Sequence, residues 1–215
     1  MGGPFQGVRA GRRVLQGLCL ITDRKSGGRT VEAMVRTALD SGARWIQYRE
    51  KEKTRKEIYL EALKVRDLTR HSGALFIVND HADIALAVEA DGVHLGQDDL
   101  PLQEARRIMG DRIIGISTHS LPEAIAAEEG GADYIGFGPV FPTVTKDAGA
   151  PKGAAMLREI KREVNIPVVA IGGISLENLP EVLASGADAV AVASAILEGD
   201  ISENVRSFVR VITTR

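Results

Sequence analysis

A single α/β barrel of the (β/α)8 type is the fold this sequence predicts, and three observations predict it. First, short apolar runs alternate with amphipathic segments about eight times in 215 residues, the length of one compact barrel. Second, a small pattern recurs wherever an amphipathic segment gives way to an apolar run. It reads Ser41-Gly42-Ala43-Arg44-Trp45-Ile46, Gly130-Gly131-Ala132-Asp133-Tyr134-Ile135 and Ser185-Gly186-Ala187-Asp188-Ala189-Val190, with Glu89-Ala90-Asp91-Gly92-Val93-His94 a looser copy. Third, four apolar runs lead into polar clusters: Gln47 to Lys51, Asn79-Asp80, Gln97 to Asp99 and Thr143 to Lys146. Clusters that follow strands gather at the carboxyl end of a parallel sheet, where barrels carry their chemistry.

Each copy of the pattern ends a helix with a small residue or glycine and then starts a strand. Strands are expected near Leu18–Thr22, Arg44–Tyr48, Leu75–Val78, Gly92–Leu95, Ile113–Ile116, Tyr134–Gly138, Val168–Ile171 and Ala189–Val192. Their short apolar character suits a sheet buried on both faces. Helices fill 30–41, 54–71, 81–88, 101–109, 120–129, 152–164, 176–184 and 201–212. In the first, Val31, Met34, Val35, Ala38 and Leu39 form one apolar stripe at helical spacing. Pro101, Pro122 and Pro180 fall near helix starts, where a missing N–H costs little. A doubly wound sheet is the competing architecture, but Gly136-Phe137-Gly138 lacks the third glycine of a dinucleotide fingerprint. Residues 1–17 are expected to form a short N-terminal extension, helical or frayed, and 18–215 one barrel that holds the active site.

Composition excludes several partners. A net charge of −2 gives no general attraction to nucleic acid or anionic membrane, and 4% aromatic residues leave no base-stacking surface. No apolar stretch reaches the roughly 18 residues of a membrane span. The start, with Arg9, Arg12 and Arg13 among glycines, lacks the apolar core of a signal peptide. Cys19 is the sole cysteine and lies in an apolar run, where it reads as a small buried hydrophobe. A chain without an internal disulfide fits a reducing, cytoplasmic setting. Small molecules are the expected partners, and a homo-oligomer is compatible with the sequence.

The residue types in the clusters point to a polyphosphate ester. In an extended segment Gln47, Arg49 and Lys51 share a face, and two cations aimed into one cleft call for an anion. Asp80 and one of Asp98 and Asp99 follow neighbouring strands, so they can share a Mg²⁺ that also takes phosphate oxygens. Helix capping explains either acidic cluster equally well on its own, Asp80 before the helix at His81 and Asp98 or Asp99 before that at Pro101. Thr143, Thr145 and Lys146 sit in a loop long enough to cover a ligand. Gly172-Gly173-Ile174 and Ala193-Ser194-Ala195 follow the seventh and eighth strands, where barrels hold a monophosphate on backbone N–H groups. Of the histidines, His71 and His81 read as helix-end residues, His94 as a packed strand residue, and His119 as one lining the cleft. No His/Cys spacing suggests zinc, and no Ser–His–acid triad is evident.

From about Leu18 onward the chain resembles the thiamine-phosphate synthase family, with motifs in the family's order. Q-[FY]-R-E-K stands as Gln47 to Lys51, N-D as Asn79-Asp80 and G-Q-x-D as Gly96 to Asp99. The strand-five serine is Ser117, T-x-T-K is Thr143 to Lys146, I-G-G-I is Ile171 to Ile174, and the small-residue–Ser ending is Ala193-Ser194. The family joins 4-amino-5-hydroxymethyl-2-methylpyrimidine diphosphate to 4-methyl-5-(2-phosphoethyl)thiazole and releases diphosphate. The resemblance implies that Asp80 and Asp99 hold Mg²⁺. It gives the pyrimidine diphosphate to Gln47, Tyr48, Arg49, Glu50, Lys51, Asn79, Ser117 and Lys146, and the thiazole phosphate to Thr143, Val144, Thr145, Gly173, Ala193 and Ser194. Arg49, Lys51, Ser117 and Lys146 are the implied catalytic groups. Val144 stands where the family is often polar, which leaves its backbone as the contact. Two alternatives stay open, a thiazole tautomerase-like barrel and a non-catalytic barrel that binds a phosphorylated ligand. The cationic and acidic clusters argue against the first.

Overall fold

A computed structural model describes residues 15–24, 28–143 and 149–214. Strands β1 (Gly17–Ile21), β2 (Trp45–Tyr48), β3 (Leu75–Asn79), β4 (Gly92–Leu95), β5 (Ile113–Thr118), β6 (Tyr134–Phe137), β7 (Val168–Ile171) and β8 (Ala189–Val192) pair in chain order. All pairs are parallel, and β8 pairs with β1 to close the barrel. Helices α1 (Val31–Asp40), α2 (Arg55–Ser72), α3 (Ala82–Ala87), α4 (Leu102–Met109), α5 (Leu121–Glu129), α6 (Gly153–Glu163) and α7 (Leu179–Ala184) follow the first seven strands. After β8 come α8 (Ser194–Leu197) and α9 (Ile201–Thr213).

The fold is the expected barrel, with two departures. The helix expected from 176 starts only at Leu179, because the Asn178 Oδ1 accepts the Ser175 N–H (2.9 Å) and holds a turn there. The short α8 was not expected, since four residues are too few to show helical periodicity. Of the expected N-terminal extension, residues 1–14 lie outside the described residues, and Gly17 already belongs to β1.

Strand alternation sorts the core into two compartments. Cys19, Ile21, Trp45, Leu75, Ile77, Tyr134, Val169, Ala189 and Ala191 point into the barrel, with Leu15 among them. Leu18, Leu20, Ile46, Tyr48, Phe76, Val78 and their equivalents point outward against the helices. Inside, the Trp45 and Tyr134 rings meet edge to face at 5.3 Å. A Cβ on Gly115 would lie 2.1 Å from the Tyr134 ring, so that strand position must be glycine for the tyrosine to fit.

The recurring pattern has a physical cause. Its aspartates face the amino end of the barrel, where each closes a neighbouring strand start. Asp91 Oδ2 accepts the Phe76 N–H, Asp133 Oδ2 the Ile114 N–H and Asp188 Oδ2 the Val168 N–H, all at 2.8–2.9 Å. The same three carboxylates pair with Arg66 of α2, Arg106 of α4 and Lys161 of α6. In the first copy Arg44 takes the aspartate's place and donates instead to the Leu39 and Ala43 carbonyls. Asp133→Ala removes a charged acceptor from a strand N–H and from Arg106. It is therefore expected to cost about 1.5–3 kcal/mol in urea unfolding while leaving the kcat of folded enzyme unchanged. A large fall in kcat would show that this end of the barrel is coupled to the cleft.

Candidate active site

The β2 strand delivers its side chains by alternation. Arg49 and Lys51 line the cleft and Gln47 is buried beneath it, while Tyr48 and Glu50 line neither of its lobes. The Tyr48 hydroxyl donates to Glu61 Oε2 at 2.9 Å, and Tyr48 is packed against the helices. Glu50 is buried, and its Oε1 accepts the Lys51 and Glu52 N–H groups at 2.9 and 2.8 Å, which shapes the turn that carries Lys51. These two members of the expected substrate-binding set therefore point to the outer side of the strand. Arg49 is held by a residue outside that set. The buried Thr22 hydroxyl accepts the Arg49 N–H at 2.9 Å and donates to the Arg49 carbonyl at 3.2 Å.

Lys51 and Asp80 form an ion pair in which the lysine is half exposed and the carboxylate 9% exposed. The backbone of Asp80 is strained, with φ 65°, and the His81 N–H donates back to the Asn79 carbonyl across it at 2.8 Å. A non-glycine residue in this region costs on the order of 1–3 kcal/mol, strain of the kind concentrated at functional sites. Asp80 also lies close enough to Asp99 of the β4 loop for the two carboxyl groups to influence each other. Burial, followed by the neighbouring Asp80 carboxylate, holds the Asp99 carboxyl above its ordinary range, against the opposing Gly96 N–H and Lys51. The capping explanation for these aspartates does not hold: the cap positions of α3 and α4 are His81 and Pro101, and neither helix has a side-chain cap. Asp99 Oδ2 instead accepts the Gly96 N–H at 2.6 Å.

A chain of polar side chains runs beneath the cleft through the barrel. Gln47 lies beside the Tyr134 hydroxyl, which lies 3.0 Å from His94 Nδ1, and His94 Nε2 lies 2.9 Å from Ser117 Oγ. Burial pushes the Tyr134 phenol well above its ordinary range, so the hydroxyl keeps its proton. Gly136 makes room for His94, whose Cε1 would lie 3.0 Å from an added Cβ.

Above this chain the cleft has two lobes. The polar lobe, about 330 Å³, is lined by Lys51, Asn79, Asp80, Gln97, Asp98 and Asp99. The other, about 120 Å³ and largely apolar, is lined by Ile21, Gly138, Thr143, Ile171, Gly173 and Ser194 among others. Arg49, Ser117 and His119 line both.

The walls of the second lobe are made by close backbone packing. The Val140 N–H donates to the Ile171 carbonyl (2.9 Å) and the Phe141 N–H to the Gly172 carbonyl (3.0 Å), which lays the β6 loop on the β7 loop. Gly173 has φ 64°, and an added Cβ would lie 2.4 Å from the Pro142 carbonyl. Asn178 Nδ2 donates to the Gly173 carbonyl at 2.8 Å and steadies the loop from behind. Ala193 and Ser194 bring the start of α8 to the same lobe. Thr22 and Asn178 carry no motif, because each acts only on backbone groups of a neighbouring loop. Val144, Thr145 and Lys146 lie outside the described residues. Among the described residues, no three His, Cys, Asp or Glu side chains cluster as metal ligands.

Residues 18–196 match the family described as thiamine monophosphate synthase. The chain belongs to that family. It is 50% identical over 185 residues to the thiamine-phosphate synthase of Chloroflexus aurantiacus, spanning 85% of this chain and 86% of that protein. With that of Methanosarcina barkeri it shares 46% over 197 residues, 90% and 89% of the two chains. The fold superposes on the thiamine phosphate pyrophosphorylase from Pyrococcus furiosus with a TM-score of 0.87 and 43% identity, covering 93% of this chain and 96% of that one. The family is one of transferases in thiamine synthesis, and the barrel is the fold of that solved structure. Among the described residues no helix is long and apolar enough to cross a membrane.

Proposed function

We propose that the cleft joins 4-amino-5-hydroxymethyl-2-methylpyrimidine diphosphate to 4-methyl-5-(2-phosphoethyl)thiazole, giving thiamine phosphate and diphosphate in the cytoplasm. The observation that carries this is the division of one cleft into a charged lobe and an apolar lobe that meet at Arg49 and Ser117. The charged lobe suits a diphosphate, and the apolar lobe, ended by Gly173 and Ser194, suits an aromatic ring bearing one phosphate. A tautomerase acting on the thiazole alone would have no use for the charged lobe.

In this scheme Gln47, Arg49, Lys51, Asn79 and Ser117 bind the pyrimidine diphosphate, joined by Lys146. Thr143, Gly173, Ala193 and Ser194 bind the thiazole phosphate, joined by the backbone of Val144 and Thr145. Tyr48 and Glu50 serve from the outer face of β2 by fixing the strand and the turn that present Arg49 and Lys51. The donor set also fits Mg²⁺. Two acidic side chains converge, and one or two carboxylates with phosphate oxygens and water are the usual shell for that ion. Asp80 and Asp99 would hold it, and when bound it supplies positive charge against the diphosphate. The residues do the rest. Arg49 and Lys51 oppose charge that builds on the leaving diphosphate as its C–O bond breaks. The two lobes hold the pyrimidine methylene against the thiazole nitrogen, which attacks it without help from an enzyme nucleophile.

The test is direct. Purified protein given both substrates and Mg²⁺ should form thiamine phosphate, EDTA should abolish turnover, and added Mg²⁺ should restore it. Asp80→Ala that keeps full activity without metal would sink the metal assignment. Absence of product under all conditions would leave the non-catalytic binding barrel as the better account.

A further inference from the structure

Among the described residues three line both lobes, and the third is His119, to which the motifs give no role. It follows β5 and is held by Glu123 of α5. The ring Nδ1 lies 3.0 Å from Glu123 Oε2, and the His119 N–H donates to the same oxygen at 2.8 Å. The other carboxylate oxygen accepts the Ser120 hydroxyl at 3.1 Å, and Ser120 in turn caps α5. Capping needs Ser120 and backbone groups; it does not need the imidazole. Burial works to raise the Glu123 carboxyl, but the hydrogen bonds from His119 and Ser120 outweigh it and hold the group below its ordinary range. A carboxylate at Nδ1 requires that nitrogen to carry hydrogen, which leaves Nε2 as the ring's contact with a ligand. No described residue hydrogen-bonds Nε2.

On the proposed function, the bond that breaks joins the contents of the charged lobe to the site of attack in the apolar one. It therefore lies where the lobes meet. We propose that His119 is a further catalytic residue, its Nε2–H donating to the oxygen at which diphosphate departs, with Glu123 the positioning residue that aims the ring. The C–O electron pair goes to that oxygen, and the hydrogen bond from Nε2–H strengthens as charge builds there. No proton need cross.

The experiment uses the full chain, with both substrates and Mg²⁺. Wild-type turnover comes first; if there is none, the proposed function falls and this inference with it. Given turnover, His119→Ala should lower kcat on the order of 10²-fold with little change in KM for the pyrimidine diphosphate. His119→Gln, whose amide nitrogen reaches toward the position of Nε2, should recover part of the loss. Glu123→Gln should cost less than His119→Ala, and its cost should vanish in the His119→Ala background, because the carboxylate acts through the ring. Glu123→Gln combined with His119→Gln gives a second cycle that preserves side-chain bulk if His119→Ala fails to fold. An unchanged kcat in folded His119→Ala overturns the proposal. So does a Glu123→Gln loss of equal size with and without the imidazole, which marks a structural cap alone.

Discussion

Arg49→Ala is expected to lower kcat on the order of 10²–10³-fold, the usual cost of removing one preorganised donor from a developing anion. Three features argue for a loss at the high end. Arg49 lines both lobes, so one guanidinium borders the leaving group and the attacking ring. Its backbone is fixed at both N–H and carbonyl by the Thr22 hydroxyl, so little reorganisation accompanies the reaction. The nearby Lys51 is already engaged with Asp80 and cannot move over without leaving that carboxylate. Arg49→Lys should recover only part of the activity, since an ammonium does not reproduce the planar fork. Thr22→Val keeps the volume and removes the clamp. It should lower kcat in the same direction by less, and it should add nothing to Arg49→Ala if Thr22 acts through Arg49. Normal kcat in Arg49→Ala would remove Arg49 from the leaving-group site.

Much of this site was legible because a parallel barrel places strand-end residues at one rim. Extended-chain alternation gives Gln47, Arg49 and Lys51 one face; Arg49 and Lys51 line the cleft, and Gln47 is buried below it. Tyr48 and Glu50 entered the substrate set through motif contiguity, and the same alternation sends them to the other side of β2. The acidic pairs were ambiguous in sequence, since an aspartate ahead of a helix reads equally as cap or ligand. Only the three-dimensional placement, with Asp80 turned to Lys51 and Asp99, separates the two. The repeat was visible, but its cause was not. Its aspartates bond to strands and helices 15 to 27 residues earlier, beyond any local periodicity. His119 was legible as a cleft residue, whereas its tether depends on α5 beginning just where Ser120 and Glu123 can both reach back.

Gly173→Ala is the sharper test of the second lobe, because one methyl group brings two separable effects. A left-handed conformation costs an alanine roughly 1–2 kcal/mol wherever it occurs. At Gly173 the new Cβ would also stand 2.4 Å from the Pro142 carbonyl and 2.8 Å from the Phe141 Cβ. Backbone cannot yield as a flexible side chain can, so the β6 and β7 loops must part. Gly73→Ala supplies the control. Gly73 is left-handed with φ 67°, lies between α2 and β3, and has open space where its Cβ would go. Both variants should lose similar stability from strain, with more lost at Gly173. Only Gly173→Ala should weaken use of the thiazole phosphate, with kcat/KM falling on the order of 10²-fold, as expected when a reactant shifts by about 1 Å. Calorimetric binding of the pyrimidine diphosphate alone should stay close to wild type in both, since Lys51, Asn79, Asp80 and Asp99 lie in the other lobe. Equal weakening of both substrates in Gly173→Ala would mean that the lobes move as one body. Unchanged use of the thiazole phosphate would take the β7 loop out of its binding site.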